Sequence, residues 1–147
     1  MTSDDREYPS RPWVGIGVVV LRGDEVLLIQ RGKAPRLGQW GIPGGAQHVG
    51  ESVFEAAERE VREETGLAIR PRAIITVVDS VTRDPERRVR YHYTLVEVLA
   101  DWLEGEPKAE DDVLDARWVK LDSLESLGMW AETVSVIRKA VVLRESS

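Results

Sequence analysis

The sequence contains no cysteine, and this absence excludes disulfide bonds and thiolate chemistry. A chain without disulfides fits a reducing compartment, so we expect a cytoplasmic location. Long apolar runs are also missing. The longest one, Val14–Leu21, is too short to cross a bilayer and is interrupted by Gly15 and Gly17. Residues 1–11 are polar and acidic, unlike a signal peptide, and we expect no association with a membrane.

An excess of positive charge is absent as well. The chain has 20 Lys and Arg against 26 Asp and Glu, a net charge of −6. Binding to DNA or RNA without regard to sequence depends on cations that neutralise phosphates, so a nucleic acid polymer is not an expected partner. A small anionic ligand held by local arginines or by a metal ion is not excluded. The 147 residues suffice for one domain, and we predict a loose tail over residues 1–11 and a single domain over residues 12–147.

The order of apolar and turn residues predicts an α/β fold with a mixed sheet. Strands are predicted at Trp13–Leu21, Val26–Arg31, Ala73–Thr82, Val89–Leu99 and Asp115–Leu121. Helices are predicted from Ser52 to Gly66 and over Trp130–Leu143. Asp122 or Ser123 is expected to cap a short helix between them. Residues 32–50 are rich in glycine and are predicted to be mostly an ordered loop, so the elements suggest a sheet between helical layers.

The first predicted helix carries carboxylates on the side that should be buried. Ser52 and Glu55 have the spacing of a capping box at its start. On a helical wheel the apolar residues fill one arc: Val53, Phe54, Ala56, Ala57 and Val61. Glu60 and Glu64 fall within this arc or at its edge, and Glu63 falls just beyond it. Buried carboxylates are costly without compensation, so positive charge is expected close by.

Two interpretations of these carboxylates are open on the helix alone. One is a solvated acidic face, and the other is a site for a hard divalent cation such as Mg²⁺ or Mn²⁺. The surrounding residues favour the second. Residues Gly45–Leu67 follow G-x5-E-x7-R-E-U-x-E-E-x-G-U, where U is a bulky aliphatic residue, with all nine specified positions matched over 23 residues. This pattern resembles the Nudix box, and the preceding Trp40–Gly45, WGIPGG, resembles the usual lead-in to that box.

The resemblance implies an α/β/α sandwich around a mixed sheet and a metal-dependent pyrophosphohydrolase of nucleoside diphosphate derivatives. The metal ligands that it implies are Glu60, Glu64, Glu63 and the Gly45 carbonyl. The catalytic residues that it implies are Glu60, Glu63, Glu64, Arg59 and Glu51, of which Arg59 and Glu51 orient the ligands. The general base stays open between Glu60, Glu63 and an acid from elsewhere. The outside candidates are Glu97, Glu110, Asp111 and Asp112.

Contacts with the substrate are expected from Arg31, Gly44 and Gly45. Members of the family often have an arginine that contacts phosphate near the position of Arg31, and a surface charge at the end of a strand is the alternative. Gly44 and Gly45 allow the backbone to approach a metal or phosphate closely. Three tryptophans are candidates either for stacking on a base or for ordinary packing: Trp40, Trp102 and Trp118.

The expected substrate is ADP-ribose, hydrolysed to AMP and ribose 5-phosphate. The stretches RVRYHYTLVEVLADWLEGEP and DDVLDARWVKLDSL resemble bacterial ADP-ribose pyrophosphatase-like proteins. Thr82 and Arg83 stand where many ADP-ribose enzymes have a proline, so this sequence departs from their pattern. The alternatives are a MutT-like hydrolase of oxidised or ordinary nucleoside triphosphates and a non-catalytic module that binds a nucleotide. Many relatives form homodimers, so a homodimer is a further expectation.

Overall fold

The computed structural model describes residues 6–33 and 36–146, which form a seven-stranded mixed sheet with a helix on each face. The elements are β1 (Trp13–Arg22), β2 (Glu25–Arg31), β3 (Trp40–Gly41), β4 (Gly44–Ala46), α1 (Val53–Thr65), β5 (Ala68–Arg83), β6 (Val89–Glu104), β7 (Val113–Lys120), a 3-10 helix (Leu121–Leu127) and α2 (Ala131–Glu145). The sheet follows the order β3-β2-β1-β6-β5, with β4 also paired to β1 and β7 to β2. Strands β1 and β6 are parallel, and the other pairs are antiparallel. The predicted α/β/α sandwich with a mixed sheet is confirmed.

Strand β1 is the centre of the core because both of its faces are covered. Val18 and Val20 pack in one cluster with residues of α1, whereas Val19 and Leu21 pack in a second cluster with residues of α2. Side chains alternate between the faces of a strand, so a strand that is buried on both sides is apolar at successive positions. This explains why residues 18–21 read as a continuous apolar run.

Strand β5 begins at Ala68, earlier than the predicted Ala73. Gly66 ends α1 in a left-handed conformation with φ of 78°, and the strand starts almost at once. Pro71 lies inside this strand, which is compatible with β5 forming an edge of the sheet. Register shifts between Ala68 and Ile69 and between Pro71 and Ala73 accommodate the irregular start.

Other expectations are corrected by the structure. The predicted loop contains β3 and β4, whose partners β2 and β1 lie elsewhere in the chain. Neither Asp122 nor Ser123 caps the short helix. It is a 3-10 helix with Lys120 at the cap position, because the Leu121 amide donates to the Asp24 carbonyl and turns the chain directly off β7. Phe54 lies in the first turn of α1 near the edge of the apolar arc, and it is 37% exposed instead of buried.

The described part of the predicted tail is held against the sheet. The Tyr8 amide donates to the Arg90 carbonyl over 2.7 Å, and its hydroxyl donates to Asp84 over 2.8 Å. Arg90 also donates to Glu7 over 2.7 Å. Glu7 and Tyr8 are therefore bonded to residues of the main domain, whereas residues 1–5, Ala34, Pro35 and Ser147 lie outside the described residues.

Candidate active site

Two glycines of β4 bring the backbone against α1. Gly44 pairs with Gly17 of β1, and Gly45 pairs with Ile16. A Cβ atom at Gly45 would lie 2.3 Å from Oε2 of Glu60, and one at Gly44 would lie 2.0 Å from the Ile16 carbonyl oxygen. Neither position has room for a side chain, so glycine is required for this close approach. The result is a segment of backbone in contact with the carboxylates of the helix.

Helix α1 begins with the predicted capping box. The Ser52 hydroxyl accepts a bond from the Glu55 amide over 3.1 Å, and the Glu55 carboxylate accepts one from the Ser52 amide over 2.8 Å. This cap fixes where the helix starts and therefore which side chains face the sheet. Glu60 and Glu64 are 9% and 8% exposed. Both carboxylates that the helical wheel predicts within or at the edge of the apolar arc are therefore buried. Glu63, just beyond the arc, keeps 47% of its side chain exposed.

Arg59 supplies the positive charge expected near the buried carboxylates. Its guanidinium donates to both oxygens of Glu51, over 2.5 and 3.0 Å, and to the Ala46 carbonyl over 3.1 Å. It also donates to Glu60 over 2.9 Å and to Glu63 over 3.1 Å. The bonds from Arg59, together with the His48 amide, lower the pKa of Glu51 to about 2. One arginine thus ties the loop of Glu51, strand β4 and helix α1 together.

Burial dominates the electrostatics of the two buried carboxylates. It raises the pKa of Glu60, against the opposing bond from Arg59. Burial also raises the pKa of Glu64 to about 8, and the charge of Glu60 adds to this effect. The Gly44 amide donates to Glu64 over 3.1 Å and opposes the shift, as does the charge of Arg31. Glu60 and Glu64 therefore form a buried pair of carboxyl groups whose ionised forms are only partly compensated.

The chemistry of these donors fits a divalent metal ion. Carboxylate and carbonyl oxygens are the ligands that Mg²⁺ and Mn²⁺ prefer, and a cation would neutralise the partly compensated pair. In the part of the chain that the structure describes, no group of three or more His, Cys, Asp or Glu side chains has the spacing for a metal. Glu60, Glu63 and Glu64 therefore do not converge on one point, since Glu63 turns outward to Arg59.

A cleft of about 310 Å³ extends from these carboxylates to the start of α2. The basic residues Arg31, Lys33 and Arg36 line it near the loop after β2. Asp111 and Asp112 also line the cleft, and Asp112 forms an ion pair with Lys33 over 2.9 Å. The volume is at the lower end of the range for small-molecule sites.

The three tryptophans that are candidates for stacking on a base lie in different places, and only Trp40 of the three lines the cleft. Trp40 lines the cleft, with the Arg117 guanidinium 4.9 Å from its ring centroid. Trp102 and Trp118 pack edge to face with centroids 6.3 Å apart, and neither lines the cleft. Sequence reasoning missed Trp130, which precedes α2 and lines the cleft with Arg36 stacked 4.2 Å from its ring centroid. Nothing in the local sequence of Trp130 indicates this, since the loop after β2 brings Arg36 to it.

The acidic residues outside α1 that are candidates for the general base lie in different places. Asp111 and Asp112 reach the cleft, whereas Glu110 contributes a backbone amide that donates to the Glu64 carbonyl over 3.0 Å. Glu97 is 5% exposed and lines the cleft from β6. Its neighbours Val96 and Val98 pack toward α1, so alternation places Glu97 on the opposite face of the sheet. A charged residue within an apolar strand sequence is the signal that marks this position.

Within residues 6–33 and 36–146, no helix has the length and apolar character needed to span a membrane.

Comparison with known proteins agrees with this geometry. A model of the NUDIX domain matches residues 11–140. An ADP-ribose pyrophosphatase from Methanocaldococcus jannaschii is 34% identical over 123 residues, covering 84% of this chain and 70% of that protein. A human 8-oxo-dGDP phosphatase is 35% identical over 112 residues, covering 76% of this chain but only 33% of that protein. A solved MutT NUDIX hydrolase from Burkholderia pseudomallei aligns with a TM-score of 0.76 at 31% identity, covering 88% of this chain and 98% of that one. The chain therefore belongs to the Nudix family and is a pyrophosphohydrolase that acts on nucleotide derivatives.

Proposed function

We propose that the protein hydrolyses ADP-ribose to AMP and ribose 5-phosphate with the help of Mg²⁺ or Mn²⁺. The observation that carries this proposal is the buried, partly compensated pair Glu60 and Glu64 against the backbone of Gly44 and Gly45. The 34% identity to an ADP-ribose pyrophosphatase supports the choice of substrate. Water would add to one phosphorus, and the bridging oxygen would leave with the other phosphate, so each product keeps one phosphate group.

Each residue of the site has a role in this proposal. Glu60, Glu64 and the Gly45 carbonyl would hold the cation, with Glu63 as a further carboxylate ligand. A cation held there would neutralise phosphate oxygens and lower the pKa of a water molecule. Arg59 and Glu51 act as positioning residues because their bonds fix the orientation of Glu60. Arg31, Gly44 and Gly45 line the cleft and are the proposed contacts of the phosphates.

The general base is proposed to be Glu60 or Glu63, because both share α1 with the other proposed ligands. Glu97 lies on the opposite face of the sheet, which argues against its taking a proton from water beside Glu64. Asp111 and Asp112 line the cleft and remain alternatives to the helix carboxylates. A cytoplasmic location and a homodimer stay predictions from the sequence.

A panel of substrates with identification of products tests the reaction. The purified protein would be given ADP-ribose, other nucleotide sugars, dinucleotides, and ordinary and oxidised nucleoside triphosphates, with Mg²⁺ and then Mn²⁺. AMP and ribose 5-phosphate from ADP-ribose, lost on chelation, are the expected products. Failure to cleave any diphosphate of adenosine would overturn the choice of substrate.

A MutT-like reaction on a nucleoside triphosphate or an oxidised nucleotide is the second candidate. The likeness to a human 8-oxo-dGDP phosphatase and to a MutT NUDIX hydrolase favours it. The same carboxylates would serve this reaction, so the site alone does not separate the two substrates. A nucleoside monophosphate with pyrophosphate as products, from the same panel, would identify the second reaction.

A further inference from the structure

Glu97 is a buried carboxyl group that the hydrolytic chemistry of α1 does not use. It lies in β6 opposite Gly17 of β1 and is 5% exposed. Its Oε1 atom has no hydrogen-bond partner among the described residues. A buried polar atom without a partner destabilises the protein, so a ligand in the cleft that donates a hydrogen bond to Glu97 would gain from it.

Gly17 makes room for this carboxyl group. A Cβ atom at Gly17 would lie 2.0 Å from Oε1 of Glu97 and 3.0 Å from Cδ1 of Ile42. The Glu97 side chain therefore extends across β1 toward Ile42, and both residues line the cleft. The small residue and the buried acid form a matched pair on neighbouring strands, in which any larger residue at position 17 would displace the carboxyl group.

The surroundings of Glu97 indicate which part of a nucleotide lies there. Trp40, Ile42 and Leu95 line the same part of the cleft and offer apolar surface to a flat ring. Phosphates would be repelled by the Glu97 carboxylate. Beside α1, a cation held by Glu60 and Glu64 would offset such repulsion, and Arg31 lines the cleft there as well. The base end of the substrate is therefore the part that fits against Glu97.

We propose that the Glu97 carboxyl group accepts a hydrogen bond from the exocyclic amino group of the nucleobase, so that adenine is selected over a purine without that group. This inference rests on the nucleotide hydrolysis proposed above. An oxygen that accepts a bond in the complex but lacks one in the free protein discriminates strongly against a ligand that leaves it unpaired. Burial raises the pKa of Glu97 to about 7, and Oε1 can accept this bond in either protonation state.

Binding of products tests the inference without depending on catalysis. The dissociation constants of AMP and of purine riboside 5′-monophosphate, which lacks only the amino group, would be measured by calorimetry with a chelator present. We expect the wild type to bind AMP about tenfold more tightly or better. E97L should bring this ratio close to one, and E97Q should keep most of it because its amide oxygen still accepts. E104L changes an exposed glutamate of the same strand and should keep the wild-type ratio.

Other outcomes would overturn the inference. A wild-type ratio near one overturns it without any variant, and so does an E97L variant that keeps the wild-type ratio. Measuring the dissociation constant of 2′-deoxy-AMP as well distinguishes a contact with the base from one with the sugar. If E97L changes only the ratio of the dissociation constants of AMP and 2′-deoxy-AMP, the bond belongs to a ribose hydroxyl and the inference is wrong. Equal hydrolysis of ADP-ribose and its purine riboside analogue would overturn this inference and leave the proposed function intact. Selective binding of AMP without hydrolysis of any substrate would support this inference and overturn the proposed function.

Discussion

Arg59 and Glu51 form a bidentate ion pair, in which Nε and Nη2 of the arginine donate to the two carboxylate oxygens over 2.5 and 3.0 Å. Both side chains are largely buried, with 14% and 15% of their surface exposed. The third nitrogen of the guanidinium donates to Glu60 over 2.9 Å. The loop before α1 and a proposed metal ligand are therefore held by one planar group, a geometry that a lysine cannot reproduce.

The variant R59K should lose activity while keeping its charge. We expect kcat/KM for the hydrolysed nucleotide to fall by about 10- to 100-fold, because an ammonium group cannot hold Glu51 and Glu60 in their present orientations. The concentration of Mg²⁺ that gives half of the maximal rate should rise as well, which a merely structural role would not produce. R62K changes an exposed arginine of the same helix and serves as the control. An unchanged requirement for Mg²⁺ would contradict the positioning role.

The variant E55A should reduce stability and leave the chemistry intact. It removes the carboxylate that accepts the Ser52 amide at the start of α1, which should lower the free energy of unfolding by about 1 kcal/mol. Urea unfolding measures this change, and E58A serves as the control because Glu58 is exposed on the same helix. A folded E55A protein without activity would show that Glu55 has a role beyond the cap.

The burial of Glu97 should appear in the pH dependence of stability. Its pKa is about 7 in the folded protein against an ordinary 4.5, so the folded state holds this proton more tightly than the unfolded state. The contribution of the protonated group is complete below pH 4.5 and is lost as the pH rises to about 7. The stability of E97L relative to wild type should therefore increase by up to about 3 kcal/mol between pH 4.5 and pH 8.

Urea unfolding of both proteins at the two pH values measures this difference. Carboxyl groups common to both proteins, Glu60 and Glu64 among them, titrate in each and cancel in the comparison. E104L, which changes an exposed glutamate of the same strand, serves as the control variant. A constant difference between E97L and wild type across this range would show that folding does not raise the pKa of Glu97.

Much of the fold follows from local signals in the sequence. The reciprocal bonds of Ser52 and Glu55 and the left-handed Gly66 define α1 within a residue of the prediction. The apolar run of β1 reflects a strand covered on both faces. The wheel also identified Glu60 and Glu64 as buried, because the period of a helix is a local property.

The remaining features depend on contacts between distant parts of the chain. Strands β3 and β4 lie in a glycine-rich stretch whose pairing with β2 and β1 is a tertiary contact. The stacking of Arg36 on Trp130 likewise joins two elements far apart in sequence. Glu97 is visible in the sequence as a charge within an apolar strand, but its missing hydrogen-bond partner is visible only in the assembled cleft.

The proposed metal site and substrate are tested together by comparing the products and rates of ADP-ribose hydrolysis by wild type, E64Q and E58Q with Mg²⁺. E64Q replaces the carboxyl group of a buried, proposed metal ligand, and E58Q replaces an exposed carboxyl group on the same helix. We predict AMP and ribose 5-phosphate from wild type and E58Q, no products after chelation, and a rate about 10²- to 10⁴-fold lower for E64Q. Circular dichroism would establish that E64Q is folded. A folded E64Q protein that hydrolyses ADP-ribose at the wild-type rate would show that Glu64 does not hold the metal.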